Sequence, residues 1–228
     1  MINEELTKQL VEKHKGLTNL IIKKCENIEL PKDIPTLNRI ALLQALAVKE
    51  STYGHNNNPR HEPAYYIGGK YFKVPHVRTL YEKFGKNASC SWGPFQIIFV
   101  TAYELGYRGT PKMLESPNLN IQWAIIYINK RIMKFHPTSV EQIFDAYNSG
   151  SFKDSFVPKE YINEAMEYYN YFVENPPVIA PPVVETPPVK EEIKIHVSET
   201  IIDDIVKEIQ DVKKRLNNLE IKLLFLKG

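Results

Sequence analysis

The sequence predicts a mainly α fold of the α+β kind, with one long loop or small β-element, followed by a separate C-terminal coiled coil. Apolar residues recur at helical spacing through most of residues 1–174. Residues 55–90 instead form a polar stretch rich in Asn, His, Tyr, Gly and Pro, which is typical of a functional loop or of short strands. Residues 199–228 carry a seven-residue repeat, and a proline-rich linker over 175–198 separates them from the first domain.

The first domain is predicted to begin with one N-terminal helix within residues 1–30, because its leucines fall near helical spacing. Pro31 and Pro35 then interrupt the chain, and Thr36 is placed to cap a second helix over residues 37–50. This second segment is apolar almost all round, so we expect it to be a buried helix.

Further elements of the first domain are indicated by local start signals. Ser116 before Pro117 is a typical helix start, and Thr138 with Glu141 has the spacing of a capping box. The predicted elements are a short strand at 71–74 and helices over 97–105, after Pro117, after Thr138 and after Pro158.

The C-terminal part differs from this domain in composition and in period. Six of the chain's 16 prolines lie in residues 176–188, which predicts an extended, semi-rigid linker. Apolar residues then fill both core positions of four heptads, at Ile202, Ile209, Leu216, Leu223 and at Ile205, Val212, Leu219, Leu226. We expect residues 199–228 to self-associate, with a trimer favoured because isoleucine or valine fills both core positions of the first half. The alternative is a helix that packs on the protein's own body or on a different partner.

Composition argues against several classes of protein. The net charge of +2 gives no indication of nucleic-acid binding. No apolar run approaches the roughly 20 residues of a membrane span, and the N-terminus lacks the features of a signal peptide. The histidines show no zinc-site spacing, so neither a metal nor another cofactor is expected. Cys25 and Cys90 belong to no metal or redox motif, and either two free thiols or one disulfide is compatible with the sequence.

Glu50 is the first candidate for chemistry, because it ends the predicted buried helix. The negative end of the helix dipole and apolar surroundings both disfavour ionisation and raise the pKa of a carboxyl group. A carboxylic acid that stays protonated near neutral pH suits the protonation of a glycosidic oxygen. The alternative is an exposed, ionised glutamate at a helix end.

Residues 91–97, with the sequence SWGPFQI, form a turn between aromatic residues. Trp92 and Phe95 offer flat apolar surface that suits sugar rings, and Gly93 permits a close backbone approach to a ligand. Gln96 can both donate and accept hydrogen bonds, which suits hydroxyl and acetamido groups. An ordinary turn with core aromatics is the alternative interpretation.

Residues 146–150, with the sequence AYNSG, end the helix that starts after Thr138. Gly150 is placed to stop that helix. The hydroxyl of Tyr147 is a candidate to hold a nearby carboxyl group in place, and a buried tyrosine beside a helix end is the alternative.

In their order and kind, these segments resemble the lytic transglycosylase and goose-type lysozyme family over roughly residues 36–172. The family's helix ending in Glu-Ser, its Gly-Leu-Met-Gln turn and its Ala-Tyr-Asn-Ala-Gly segment match residues 50–51, 93–96 and 146–150. The resemblance implies a lysozyme-like fold and an enzyme that cleaves the MurNAc–GlcNAc β-1,4 bond of peptidoglycan, with Glu50 as the catalytic acid. The residues it implies for substrate binding are Ser51, Ser91, Trp92, Gly93, Phe95, Gln96, Tyr147 and Asn148.

The chain departs from the family pattern in two places. Pro94 and Phe95 replace Leu-Met in the turn, which reshapes one wall of the glycan groove. The insertion between Glu50 and Ser91 contains residues 60–66 (RHEPAYY), which resemble an Arg-Tyr-Glu-Pro element of transglycosylase domains from bacteriophages. That similarity implies a location on a phage particle, in association with its tail, or in the host cytoplasm with delivery to the cell wall.

The resemblance leaves two reaction outcomes open. In a lytic transglycosylase, Glu50 acts first as acid and then as base on the muramyl C6 hydroxyl, and the product is a 1,6-anhydro sugar. In a hydrolytic lysozyme or endolysin a second carboxylate activates water, and Glu62 is the candidate by position. The alternatives for Glu62 are an ion pair with Arg60 or Arg78 and a hydrogen bond that fixes the loop. A structural virion protein with a lysozyme-like fold is a further alternative, which the presence of Glu50 disfavours.

Overall fold

The computed structural model describes residues 2–153 and 157–177. It divides the chain into two units, Met1–Val178 and Ile179–Gly228, and the description below concerns the first. The described residues confirm the predicted mainly helical fold with a small β-element. Most of the predicted linker and the heptads of residues 199–228 lie outside the described residues.

Eight α-helices and three short strands make up the regular structure of the described residues. The helices are α1 (Glu4–Lys13), α2 (Lys15–Lys24), α3 (Arg39–Ser51), α4 (Pro75–Phe84), α5 (Phe99–Glu104), α6 (Pro117–Phe135), α7 (Val140–Ser149) and α8 (Lys159–Glu174). The strands are β1 (Arg60–His61), β2 (Cys90–Trp92) and β3 (Ile97–Ile98). Short 3-10 segments lie at Cys25–Asn27, Pro63–Tyr65, Gly85–Ser89 and Pro111–Glu115.

Helix α3 is the central element of the core and packs along α8. Leu42, Leu43 and Leu46 are fully buried, as the apolar composition of the segment predicts. The predicted cap at Thr36 is wrong, because the side chain of Asn38 accepts the hydrogen bond from the backbone N–H of Ala41 at 3.0 Å. This helix therefore begins two residues later than the sequence pattern suggests.

Two other predicted helix starts need correction. The single N-terminal helix is in fact the pair α1 and α2, because His14 leaves the helical conformation between them. The capping box at Thr138 and Glu141 is displaced by one residue. Ser139 is the capping residue of α7. The side chain of Gln142, and not that of Glu141, accepts a hydrogen bond of 2.8 Å from the backbone N–H of Thr138.

Residues 55–90 contain more regular structure than the sequence predicts. The strand expected at 71–74 is wrong, because the backbone of these residues turns back on itself and leads into α4 at Pro75. The sheet is instead antiparallel in the order β1-β2-β3. Ser91 of β2 pairs with Arg60 of β1 on one side and with Ile98 of β3 on the other. Because Ser91 is close to the turn that joins β2 to β3, Arg60 of β1 lies near that turn. Because Ile97 and Ile98 pair with β2, the helix predicted over 97–105 begins only at Phe99.

The helix predicted after Pro117 is confirmed as α6, and its buried face includes Ile121, Ala124, Ile125, Ile128 and Ile132. Both cysteines are buried and unpaired, which answers the question that the sequence left open. Among residues 2–153 and 157–177, no helix combines the length and apolar character needed to cross a bilayer.

Candidate active site

The carboxyl group of Glu50 is the point where three elements meet. Glu50 lies in the last turn of α3, and only 6% of its side chain is exposed. Its Oε1 accepts a hydrogen bond of 2.7 Å from the hydroxyl of Tyr161 in the first turn of α8. Its Oε2 lies 3.5 Å from Nη2 of Arg60 on β1. Both carboxyl oxygens therefore have a partner, although the group is almost completely buried.

Burial raises the pKa of Glu50 above its ordinary value, because the ionised form loses its hydration. The hydrogen bond from Tyr161 and the charge of Arg60 oppose this effect, yet the pKa of Glu50 is raised overall. Burial and the neighbouring carboxylate also hold the pKa of Tyr161 well above its ordinary value, so its hydroxyl stays a donor. A larger fraction of Glu50 is thus protonated at a given pH than of an exposed glutamate, as the sequence predicts.

Arg60 links Glu50 to a second carboxylate. Its Nε lies 3.2 Å from Oε1 of Glu62, so one guanidinium contacts both carboxyl groups. The hydroxyl of Ser91 lies 2.8 Å from the same oxygen of Glu62 and 2.8 Å from Oε1 of Gln96. Glu62 therefore forms an ion pair with Arg60 and a hydrogen bond with Ser91, and it lines the same cleft as Glu50.

The turn between β2 and β3 is fixed from behind by buried side chains. Asn120 accepts a hydrogen bond from the backbone N–H of Phe95 at 2.8 Å and donates one to the carbonyl of Trp92 at 2.7 Å. Ser51 lies 2.7 Å from the carbonyl oxygen of Pro94, to which its hydroxyl donates. This turn is therefore attached both to α6 and to the end of α3, beside Glu50.

Two residues of this turn have backbone conformations that restrict their identity. Gly93 has φ +70°, and a Cβ there would lie 2.5 Å from the carbonyl oxygen of Leu114, so no other residue fits without rearrangement. Gln96 has φ +44°, which is uncommon for a residue with a side chain. Its Nε2 donates to the carbonyl of Gly93 at 2.9 Å, so the turn holds its own side chain in place.

The tyrosine that contacts the carboxyl group of Glu50 differs from the one that the sequence suggests. Tyr147 donates its hydrogen bond to the carbonyl of Phe95 at 2.6 Å and so fixes the turn instead of Glu50. Tyr161, in the helix predicted after Pro158, makes the contact to Glu50. Its hydroxyl is the local feature of the sequence that could indicate this role.

A cleft of about 180 Å³ opens beside Glu50 and brings together half of the predicted site residues. Its lining consists of Glu50, Arg60, Glu62, Gln96, Ile97, Ile98, Thr101, Tyr127, Tyr147 and Asn148. Five residues predicted to bind the substrate do not line it and are buried behind its wall: Ser51, Ser91, Trp92, Gly93 and Phe95. The described residues contain no group of three or more histidine, cysteine, aspartate or glutamate side chains suited to a metal ion.

Comparison with known families gives one match. The model of the transglycosylase SLT domain matches residues 38–170, which include both the end of α3 and the tyrosine of α8. No curated protein and no solved structure matches the chain.

Proposed function

The chain belongs to the transglycosylase SLT domain family, whose members are lytic transglycosylases acting on peptidoglycan, and we propose that Glu50 is its single catalytic acid and base. The observation that carries this proposal is the state of the carboxyl group. Glu50 is buried, its pKa is raised, and it forms part of the wall of a cleft. A general acid needs this combination of a retained proton and access to the substrate.

In the first step, Glu50 donates its proton to the oxygen between N-acetylmuramic acid and N-acetylglucosamine. The bond from that oxygen to the muramyl C1 breaks, its electron pair stays on the departing hydroxyl, and the muramyl acetamido oxygen stabilises the positive carbon. Glu50 is now ionised. Arg60 at 3.5 Å and the hydroxyl of Tyr161 at 2.7 Å stabilise the new carboxylate, so these two residues favour the second half of the reaction.

In the second step, the Glu50 carboxylate takes the proton of the muramyl C6 hydroxyl, whose oxygen forms a bond to C1. A 1,6-anhydro product results, Glu50 regains its proton, and no water is consumed. This route needs no second carboxylate. The contacts of Glu62 with Arg60 and Ser91 agree with this route, because they give this carboxylate a role as a partner within the cleft wall.

The C-terminal heptads bear on how the enzyme is held at its place of action. We propose that residues 199–228 join copies of the chain and attach it to a larger particle, such as the tail of a phage. Support comes from the heptads and from the resemblance of residues 60–66 to a phage element. Sedimentation equilibrium of the full chain should give a trimer, and Ile209→Asp should give monomers. A monomeric wild-type chain would exclude self-association.

Mass spectrometry of muropeptides tests the assignment of Glu50. Purified peptidoglycan is treated with the wild type, with Glu50→Gln and with Glu160→Gln, which removes an exposed carboxylate of α8 as a control. We expect anhydro-muramyl products from the wild type and the control and none from Glu50→Gln. Hydrated reducing ends would instead indicate a hydrolase in which Glu62 activates water.

A further inference from the structure

Lys49 precedes Glu50 in the last turn of α3, and its side chain reaches across to α8. Its Nζ donates to Oε2 of Glu164 in the second turn of α8, and only 14% of the Lys49 side chain is exposed. The same Nζ lies over the ring of Tyr161, 4.9 Å from the ring centre. Lys49 therefore contacts the tyrosine whose hydroxyl donates to the carboxyl group of Glu50.

The ring of Tyr161 is thus in contact with two consecutive residues of α3. Its hydroxyl donates to Glu50 at 2.7 Å, while the ammonium group of Lys49 lies over its face. A cation over an aromatic face is attracted by the negative charge density of the ring, and the attraction is stronger where water is largely excluded, as at this lysine. A movement of the ring away from Glu50 would also break its contact with Lys49.

The start of α8 has a residue at its N-cap position that cannot serve as a side-chain cap. This residue is Pro158, whose side chain has no oxygen to accept a backbone N–H of the first turn. Tyr161 lies in that first turn, and Glu164 follows it by three residues on the same side of the helix. Because Lys49 contacts both residues, it joins this side of α8 to the end of α3.

We propose that Lys49 is a positioning residue for the reaction, which holds the ring of Tyr161 and so keeps its hydroxyl on the carboxyl group of Glu50. The inference rests on the proposed function, because it concerns the acid of that reaction. Lys49 is not among the residues that line the cleft beside Glu50. It therefore acts through Tyr161 and not through a contact with the substrate.

Lys49 also acts on Glu50 through its charge, and the two effects can be measured separately. Burial raises the pKa of Glu50, whereas the hydrogen bond from Tyr161 and the charges of Arg60 and Lys49 oppose this rise. Removal of Lys49 should therefore raise that pKa further and move the fall of kcat/KM with rising pH to higher pH. On the plateau at lower pH Glu50 is protonated with or without Lys49, so kcat there reports the position of Tyr161.

The test is a double-mutant cycle of Lys49→Met and Tyr161→Phe, with kcat and KM measured on purified glycan strands on that plateau. We expect Lys49→Met to lower kcat about threefold at an unchanged KM, the factor for one partly exposed contact between a cation and a ring. In the Tyr161→Phe background the ring remains but the hydroxyl is gone, so Lys49→Met should lower kcat no further. Lys49→Arg should keep kcat near the wild-type value, because arginine also stacks on rings and pairs with carboxylates.

Lys134 provides a matched control for the loss of a lysine beside an aromatic ring. Its Nζ also lies 4.9 Å from a ring centre, that of Phe135, and the residue is exposed near the end of α6. Lys134→Met should change neither kcat nor the pH profile. Circular dichroism checks that each variant is folded, and Lys49→Gln takes the place of Lys49→Met in the cycle if the latter does not fold.

Other outcomes would overturn this role of Lys49. An equal loss of kcat in the wild-type and Tyr161→Phe backgrounds would mean that Lys49 supports the fold in general, and a loss confined to KM would mean that it contacts the substrate. An unchanged kcat for Lys49→Met would mean that Tyr161 needs no such support. If the wild type cleaved no strands, the proposed function itself would fail, whereas an active wild type with an effect of Lys49 independent of Tyr161 would remove the positioning role alone.

Discussion

The two walls of the cleft beside Glu50 are built in different ways. The Glu50 wall comprises the end of α3, the turn over residues 93–96 and the start of α8, and hydrogen bonds between largely buried groups hold it. The Arg60 wall comprises Arg60 and Glu62 at the end of a two-residue strand, and charge holds it, with 57% of the Arg60 side chain exposed. The contrast indicates that the first wall positions the carboxyl group of Glu50, while the charge of Arg60 in the second wall lowers the pKa of that group. Substitutions should have large structural effects on the first wall and small electrostatic effects on the second.

The largest effect is expected at Asn120, behind the Glu50 wall. Asn120→Ala leaves the N–H of Phe95 and the carbonyl of Trp92 buried without partners. Each unpaired buried group costs about 1–3 kcal/mol, so we expect the free energy of unfolding to fall by about 2–5 kcal/mol. Urea denaturation followed by circular dichroism measures this change.

Asn118→Ala is the matched control, because Asn118 is exposed in the first turn of the same helix. Its free energy of unfolding should change by less than about 0.5 kcal/mol. If the two alanine variants proved equally stable, the turn would not depend on Asn120. The claim that buried hydrogen bonds hold the Glu50 wall would then be wrong.

Tyr161→Phe tests the contact within the Glu50 wall that acts on the acid itself. The hydroxyl lowers the pKa of Glu50 and fixes one carboxyl oxygen, so its removal raises that pKa further and frees the carboxyl group to rotate. We expect kcat to fall about tenfold, as for a lost positioning hydrogen bond to a charged group. The variant should keep the product type and the fold. An unchanged kcat would show that the buried carboxyl needs no positioning by α8.

Arg60→Met tests the Arg60 wall and should have the smallest effect on the maximal rate. An ion pair of a largely exposed side chain is worth about 0–1 kcal/mol, so the rate plateau should change by less than about fivefold. Arg60 lowers the pKa of Glu50 and the acid must be protonated to react, so kcat/KM falls as the pH rises through that pKa. Without Arg60, this fall should move to higher pH in a pH–rate profile. A shift to lower pH would contradict the assignment of Glu50 as the acid.

The sequence predicts the raised pKa of Glu50 and the helix that contains it, because both follow from a local pattern. An apolar run that ends in a glutamate indicates burial and a raised pKa without any knowledge of the partners. The turn was also recognised, but its residues were predicted to bind the substrate, and five of the predicted residues instead lie behind the wall. A sequence motif indicates that its residues belong to one site. It does not distinguish the residues that contact the ligand from those that determine the backbone conformation.

The supporting contacts escaped prediction because they join distant parts of the chain. The hydrogen bond from Tyr161 to Glu50 spans 111 residues, and the one from Asn120 to Phe95 spans 25. Helical periodicity places each residue on the correct helix, but it does not give the rotation that brings one hydroxyl to one carboxyl group. The antiparallel sheet escaped prediction for a similar reason, since strands of two or three residues carry almost no alternation.

The most direct test of the central claim compares Glu50→Gln with Glu62→Gln on the same purified glycan strands. If Glu50 alone is the acid and base, its variant should lose about a thousandfold or more in kcat/KM, as expected for a general acid. Glu62→Gln, which removes only the partner of Arg60 and Ser91, should lose less than about fivefold, the range for a partly exposed ion pair, and should still form anhydro products. A loss at Glu62 as large as that at Glu50, with hydrated products from the wild type, would contradict the single-carboxylate mechanism.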